Sequence, residues 1–209
     1  MNFTYFYVVF LLLSTAYRIK RLIKSYEVEE REAKVYSPMS YPILLLLYLL
    51  ITIGSILEYF YFRYIIFVRE EINLIVSLIG LITYVSVIPI RTKAVAALGR
   101  YMAADIKIFE DHKLIKEGPY RYLRHPLSVC VIIEAVSLTL IPNSYYSLIF
   151  ALLVFIPFVL YRTALEEKAL IEKFGQDYIK YQGEVYGYLP LKRVKLNGLG
   201  GGRSLSESG

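Results

Sequence analysis

The stretch HPLSVCVIIEAVSLTLIPNSYYSLIFALLVFIPFVLYR, His125 to Arg162, decides the fold. Two apolar runs, Leu127–Ile141 and Ser144–Tyr161, meet at a short polar break. Backbone N–H and C=O groups cannot stay unpaired in lipid, so runs of this kind fold as helices, although Ile, Val and Tyr would favour strands in water. Pro142 ends the first helix, and Asn143 and Ser144 supply turn and cap. The result is a helical hairpin. It is nearly symmetric, with His125 about 17 residues before its midpoint and Arg162 about 19 after, so at about 1.5 Å of rise per residue both emerge at one level. Two positions 37 apart in sequence are thereby brought together. Pro157 predicts a kink in the second arm.

Outward from the hairpin, three more apolar runs lie upstream: Phe3–Tyr17, Tyr41–Phe62 and Ile72–Ile90. With 56% hydrophobic residues in a chain of 209 and a mean hydropathy of +0.48, this clustering reads as an integral membrane protein. The runs at 41–62 and 72–90 approach the norm of about 20 residues; the shorter ones cross with help from bilayer thinning and snorkelling cations. No cationic segment precedes Phe3 and the charges follow it, so the first run is expected to be a retained helix and not a cleaved leader.

Of the 24 Lys and Arg residues, six lie between Arg18 and Lys34, eight between Arg91 and Arg124, and eight from Arg162 onward. Only Arg63 and Arg69 fall elsewhere, so five helices place 22 of the 24 on one side. That side is expected to be cytoplasmic, together with the active site and C-terminus, with the N-terminus outside. The net charge of +6 flanks apolar runs, which points to an anionic membrane surface and not to nucleic acid. The expected fold is all-α: a polytopic membrane protein of five transmembrane helices with a cytoplasmic linker and a C-terminal amphipathic helix. Residues 1–92 hold helices one to three, and 93–195 form a catalytic region of linker, hairpin and C-terminal helix. Residues 196–209 make a Gly/Ser-rich disordered tail. The C-terminal helix carries Leu165, Leu170, Ile171 and Phe174 on one side and is bent or broken at Gly175.

Pro126 suits the first position of the hairpin's first helix, with His125 as its cap. Helix N-termini attract anions, and Arg124, His125 and, across the hairpin, Arg162 strengthen that field. Arg162 and Glu166 are spaced i,i+4 and share a face, whereas Glu167 is turned about 100° away. An anion site beside carboxylates suits a zwitterion, or a cation next to an anion. Glu134 lies midway along an apolar helix, where a carboxylate is a functional candidate, here for the substrate cavity. Glu58, nearer a helix end and close to Arg63, reads as snorkelling. Cys130 reads as an inert buried thiol, and two histidines with one cysteine give no metal-ligand spacing. No phosphate-loop, dinucleotide or serine-hydrolase motif is present. These residues alone leave open an enzyme or a non-catalytic membrane partner.

From about Asp105 the chain resembles the isoprenylcysteine carboxyl methyltransferase family, within a wider group of small membrane methyltransferases that includes phospholipid N-methyltransferases. The resemblance rests on His112-Lys113-Leu114-Ile115, Glu117-Gly118-Pro119-Tyr120, Arg124-His125-Pro126, Arg162, Glu166-Glu167, Phe174-Gly175-Gln176-Asp177-Tyr178 and Tyr181, in that order. It implies S-adenosylmethionine as cofactor, in a pocket lined by His112, Lys113, Leu114, Ile115, Tyr120, His125, Pro126 and Leu127, with Asp105 as a further polar contact. Glu166 would touch the cofactor and Arg162 the substrate carboxylate, making these two the catalytic pair. Ser128 falls at a cofactor contact where the family usually has Tyr.

The implied substrate is a prenylated cysteine or similar lipophilic carboxylate, its chain remaining in the bilayer. Already ionised at neutral pH, it needs no general base. Desolvation and in-line positioning at about 3–3.5 Å would carry the reaction. Two other readings stand beside this one. A lipid-amine N-methyltransferase would need a base such as Glu134, Glu167 or His125. A sterol-type reductase using NADPH shares a similar C-terminal region, but the short five-helix chain argues against it.

Overall fold

The structure, a computed structural model, describes residues 3–26, 33–65, 72–103 and 105–188. It is predominantly helical. In chain order come α1 (Phe3–Tyr26), β1 (Ala33–Ser37), α2 (Ser40–Phe60), α3 (Leu74–Leu98), β2 (Ile106–Phe109), α4 (Pro126–Leu140), α5 (Tyr145–Phe150), α6 (Ile156–Phe174) and α7 (Gln176–Glu184). Ser40–Ile65, Leu74–Tyr101 and Tyr145–Phe174 are long and apolar enough to cross a membrane, whereas Phe3–Tyr17 and Pro126–Leu140 are apolar but shorter. All five expected runs are therefore helices, and three of them have spanning length. Many of their large apolar side chains face outward, among them Leu49, Ile53 and Leu57 on α2 and Leu78, Ile82 and Val85 on α3. In water that surface would be a liability; against lipid it costs nothing.

The helices meet over an aromatic core. Tyr7 on α1 packs edge-on against Tyr59 on α2 with centroids 5.1 Å apart, and Phe10 packs edge-on against Tyr84 on α3 at 5.0 Å. Ile51, Leu138, Ile141, Ala151 and Phe155 complete it. The closest approach joins α3 and α4. A Cβ on Gly80 would come within 2.9 Å of the Ile141 backbone nitrogen, so only glycine fits there.

The end of the bundle carrying the α4–α5 turn, here called the turn end, is closed by polar groups that satisfy one another. Asn143, at φ 61°, donates to the Ser77 hydroxyl (2.9 Å) and accepts from the Asn73 N–H (2.9 Å). The Ser77 hydroxyl in turn donates to the Ile141 carbonyl at 2.7 Å. Glu58 does not snorkel as expected. It is buried, and its carboxylate accepts from the Tyr146 and Ser147 N–H groups (3.2 and 2.9 Å), capping α5 from a neighbouring helix. The reason is electrostatic: the first turn of α5 presents unpaired donors and a positive dipole end to a buried acid.

Two features depart from the expected all-α layout or refine it, a ribbon at the opposite, linker end and a π turn within the bundle. Strands β1 and β2 pair antiparallel, Ala33 opposite Phe109 and Lys34 opposite Ile108, with a register shift between Val35 and Ser37. Ile106 and Ile108 pack on Ala169, Leu165 and Leu170 of α6, and Lys34 reaches Glu172 at 2.6 Å. This ribbon requires the segment after α1 and the segment after α3 to lie at the same end as the far half of α6. Pro157 has no N–H and releases the carbonyl four residues back; the backbone responds with a π turn over Ala151–Phe155. The rod from Tyr145 to Phe174 is otherwise continuous, then stops at Gly175, whose φ of 53° lets α7 turn away. The Gly/Ser tail at 196–209 lies outside the described residues.

Candidate active site

A cavity of about 200 Å³ opens at the linker end between α2, α3, α4, α6, α7 and the segment 101–115. Asp105, His112, Lys113, Leu114, Ile115, Tyr120, His125, Leu127, Ser128, Arg162 and Glu166 all line it. The hairpin geometry thus does bring the start of α4 and the middle of α6 together. Pro126 and Glu134 are not among the lining residues. Pro126 instead supplies the first position of α4, as its fixed φ and missing N–H favour.

His125 stands at the N-cap position but makes no side-chain cap bond, contrary to the expected cap. Its Nε2 lies 2.8 Å from Glu167 Oε1, and its Nδ1 is 3.9 Å from Glu166 Oε2. Arg124 was expected to add to an anion field and is committed elsewhere. Its Nε donates to Glu167 Oε1 (2.9 Å) and its guanidinium to the carbonyls of Gln182 (3.2 Å) and Val185 (2.6 Å). Backbone bonds from Arg124 N to Tyr186 O (3.0 Å) and from His125 N to Gly187 O (3.2 Å) stitch the chain after α7 onto the same segment. Glu167 is therefore the keystone of this wall, and Glu166, one position earlier, is left facing the cavity. A partly buried carboxylate shared by Arg and His, with Gln182 donating to its other oxygen at 3.1 Å, is fully engaged.

Tyr120 is buried in the turn at Gly118–Arg121, and its carbonyl accepts from the Tyr181 hydroxyl. Burial raises the phenols of Tyr120, Tyr178 and Tyr181, the last to about 12, so all three remain protonated donors at neutral pH. Ser128 accepts from the Thr163 hydroxyl at 3.2 Å, linking α4 to α6. His112 is stacked on Tyr101 with centroids 4.6 Å apart and rings inclined by 9°, and meets the edge of Phe174 at 5.8 Å. Burial, then Lys173, lowers its pKa, outweighing Asp111 and Glu166, so the ring is neutral.

Several residues that line this cavity carry a buried polar atom with no hydrogen-bond partner among the described residues, including Arg91 Nε, Asp105 Oδ1, His112 Nδ1 and the Tyr178 hydroxyl. Buried polar groups are normally paired, so acceptors and donors left open on a cavity wall fit a polar ligand. Glu166 adds negative charge and Arg162 positive charge. The opposite part of the wall, made by Tyr41, Leu44, Leu127, Val131 and Val159, is mostly apolar. One cation stands there that the sequence reading passed over. Arg91, counted before only among the flanking basic residues, lines the cavity and forms an ion pair with Glu134. The available signal was a lone acid and a lone base within consecutive apolar helices. Glu134, expected to face substrate, is buried behind that pair. Among the described residues no group of three His, Cys, Asp or Glu side chains is placed to hold a metal ion.

The fold and the cavity define an integral membrane protein with a site that is charged and polar on one side and apolar on the other. Residues 78–172 match the model of the isoprenylcysteine carboxyl methyltransferase family. The rice proteins called probable protein-S-isoprenylcysteine O-methyltransferase (Oryza sativa subsp. indica and japonica) are 36% identical over 117 residues, 55% of this chain and 61% of theirs. The Schizosaccharomyces pombe protein-S-isoprenylcysteine O-methyltransferase is 33% identical over 82 residues, 39% of this chain and 35% of its own length. The chain thus spans about three fifths of the length of the rice relatives. The matched region holds α4, most of α6 and most of the residues that line the cavity.

Proposed function

We propose that this protein is an S-adenosylmethionine-dependent membrane methyltransferase that esterifies the carboxylate of a prenylated cysteine or a similar lipophilic acid. The observation that carries the reading is one cavity lined both by charged and polar groups, among them Asp105, His112, Glu166, Arg91 and Arg162, and by the apolar side chains of Leu44, Leu127, Val131 and Val159. The family that the chain matches and the names of its relatives point the same way.

Asp105, His112, Tyr120, Tyr178 and Glu166, with the backbone and side chains of Lys113, Leu114 and Ile115, would hold the cofactor. Its carboxylate, ammonium and sulfonium charges match a wall of mixed sign. Bound there, S-adenosylmethionine supplies an electrophilic methyl group. Arg162 orients the substrate carboxylate, with Arg91 on the same side of the cavity. Tyr41, Leu44, Val131 and Val159 exclude water from that half and leave the carboxylate poorly solvated, hence more nucleophilic. No base is required, because the acid is ionised near neutrality. The lipid-amine alternative needs one, and its candidates are all engaged: Glu134 by Arg91, Glu167 by Arg124 and His125, His125 by Glu167. In this reading five helices cross the bilayer, with the linker end cytoplasmic and the N-terminus outside.

The test is transfer of labelled methyl from S-adenosylmethionine by the detergent-purified protein. N-acetyl farnesylcysteine should be methylated and phosphatidylethanolamine should not. Labelled phospholipid with unlabelled farnesylcysteine would reverse the assignment.

A further inference from the structure

We infer that Glu134 is a positioning residue: paired with Arg91 across the α3–α4 contact, it holds that guanidinium at the apolar end of the cavity as a second cation facing the substrate carboxylate. The inference rests on the functional reading above and adds a residue that does not itself touch the site.

The geometry begins with helix direction. Side chains lean toward the N-terminus of their own helix. α3 starts at the turn end, so Arg91 leans back into the bundle, away from the linker end. α4 starts at the linker end, so Glu134 leans down toward it. Gly80 against Ile141 fixes the relative height of the two helices. From that contact Arg91 lies 11 residues along α3 and Glu134 lies 7 back along α4, an axial offset of about 6 Å. The two side chains, leaning toward one another, close that offset and form the pair.

The environments of the partners differ. The Glu134 side chain is 3% exposed and the Arg91 side chain 20%, and only Arg91 reaches the cavity. One guanidinium nitrogen, Nη1, is spent on Glu134, while Nε is buried without a partner. Left alone, an arginine two turns from the end of an apolar helix would extend toward the polar interface. Glu134 prevents this by offering a charged acceptor deeper in the bundle. The pair also removes the cost of an isolated buried charge on either helix. A purely structural ion pair would be expected to face the helix contact with both partners. Here one partner faces the contact and the other the cavity.

Glu134→Gln, Glu134→Asp and the exchange Arg91→Glu/Glu134→Arg separate the two roles. Thermal unfolding in detergent reports stability, and equilibrium binding of farnesylcysteine and of its methyl ester reports recognition of the carboxylate without turnover. Wild type should prefer the acid over the ester. Glu134→Gln should weaken the acid by about tenfold or more and raise its KM accordingly, leaving ester and S-adenosylmethionine binding within about threefold. Glu134→Asp should recover part of the loss. The exchange should restore stability relative to the single variants while acid binding stays lost, because a carboxylate now faces the cavity. Full recovery of acid binding in the exchange variant would overturn the inference, as would a wild type that binds acid and ester equally. Absence of methyl transfer by wild type, with acid preference intact and dependent on Glu134, would instead sink the functional reading alone.

Discussion

The two ends of the bundle handle buried polar groups in opposite ways. At the turn end Asn143, Ser77 and Glu58 close on helix termini and backbone carbonyls within hydrogen-bond distance. At the linker end Asp105, His112 and Tyr178 each present a buried atom to a cavity with no protein partner. One end recovers the cost of burying polarity on folding; in the function proposed above, the other recovers it on binding. Polarity in an apolar chain is therefore not in itself a mark of function; unmet polarity on a cavity wall is.

That contrast is broken most readily at the linker end. Glu166→Ala should weaken binding of the proposed cofactor by about 10- to 100-fold, since a charged hydrogen-bonding partner is lost from a partly exposed position on the cavity wall. Arg162→Ala should lower turnover with farnesylcysteine by a similar factor while sparing cofactor affinity. Unfolding temperatures of both should stay close to wild type, because the short bonds to Arg124 and His125 are carried by Glu167. Calorimetry with thermal unfolding on the same preparations checks both halves. A large stability loss in either variant would mean that the linker end is structural too.

The reverse pattern is expected at the turn end. Gly80→Val places a branched side chain where even a Cβ meets backbone at 2.9 Å, and overpacking of this kind costs about 1–3 kcal/mol. Glu58→Ala strands the Tyr146 and Ser147 N–H groups and should cost about 1–3 kcal/mol. In both variants the unfolding midpoint in detergent falls; in Glu58→Ala the cofactor and substrate constants of the folded protein are unchanged, whereas Gly80→Val, which alters the height of α3 against α4, should also weaken binding of the carboxylate through Arg91. A shift in KM in Glu58→Ala would show that the two ends communicate.

These differences also explain what the sequence disclosed. The hairpin was legible because lipid leaves the backbone few options, and Pro142-Asn143-Ser144 marks its turn. The meeting of His125, Arg162 and Glu166 followed from arm length alone, and the cavity contains all three. The ribbon was not legible. Its strands are five and four residues long, about seventy positions apart and offset by a register shift, so no local pattern announces them. The i,i+4 spacing of Arg162 and Glu166 also picked out Glu166 over Glu167, and Glu166 is the one that lines the cavity. What the sequence left unseen is the role of Glu167, which Arg124 and His125 take. Glu58 and Glu134 were both conspicuous as acids in apolar helices. Only packing assigns one to a helix cap and the other to Arg91.

The smallest expected effect concerns His112, and it bears on both halves of the comparison. Burial, then Lys173, holds its pKa below the ordinary value, whereas the unfolded chain protonates near pH 6.5. Above that pH neither state binds the proton and the ring contributes fully to stability. As pH falls from about 6.5 through the lowered folded value, the unfolded state gains a proton that the folded state resists, and stability declines. Below the folded value the loss is complete and the slope disappears. Unfolding midpoints measured between pH 7.5 and 5, in roughly half-unit steps, should therefore fall more steeply in wild type than in His112→Phe, which keeps the stack on Tyr101 but cannot titrate. A saturating ligand that engages Nδ1 of the neutral ring should depress the pKa further and steepen the wild-type fall, an effect absent from the variant. Parallel curves would place His112 in the same class as Asn143, a group satisfied by folding and not by what binds.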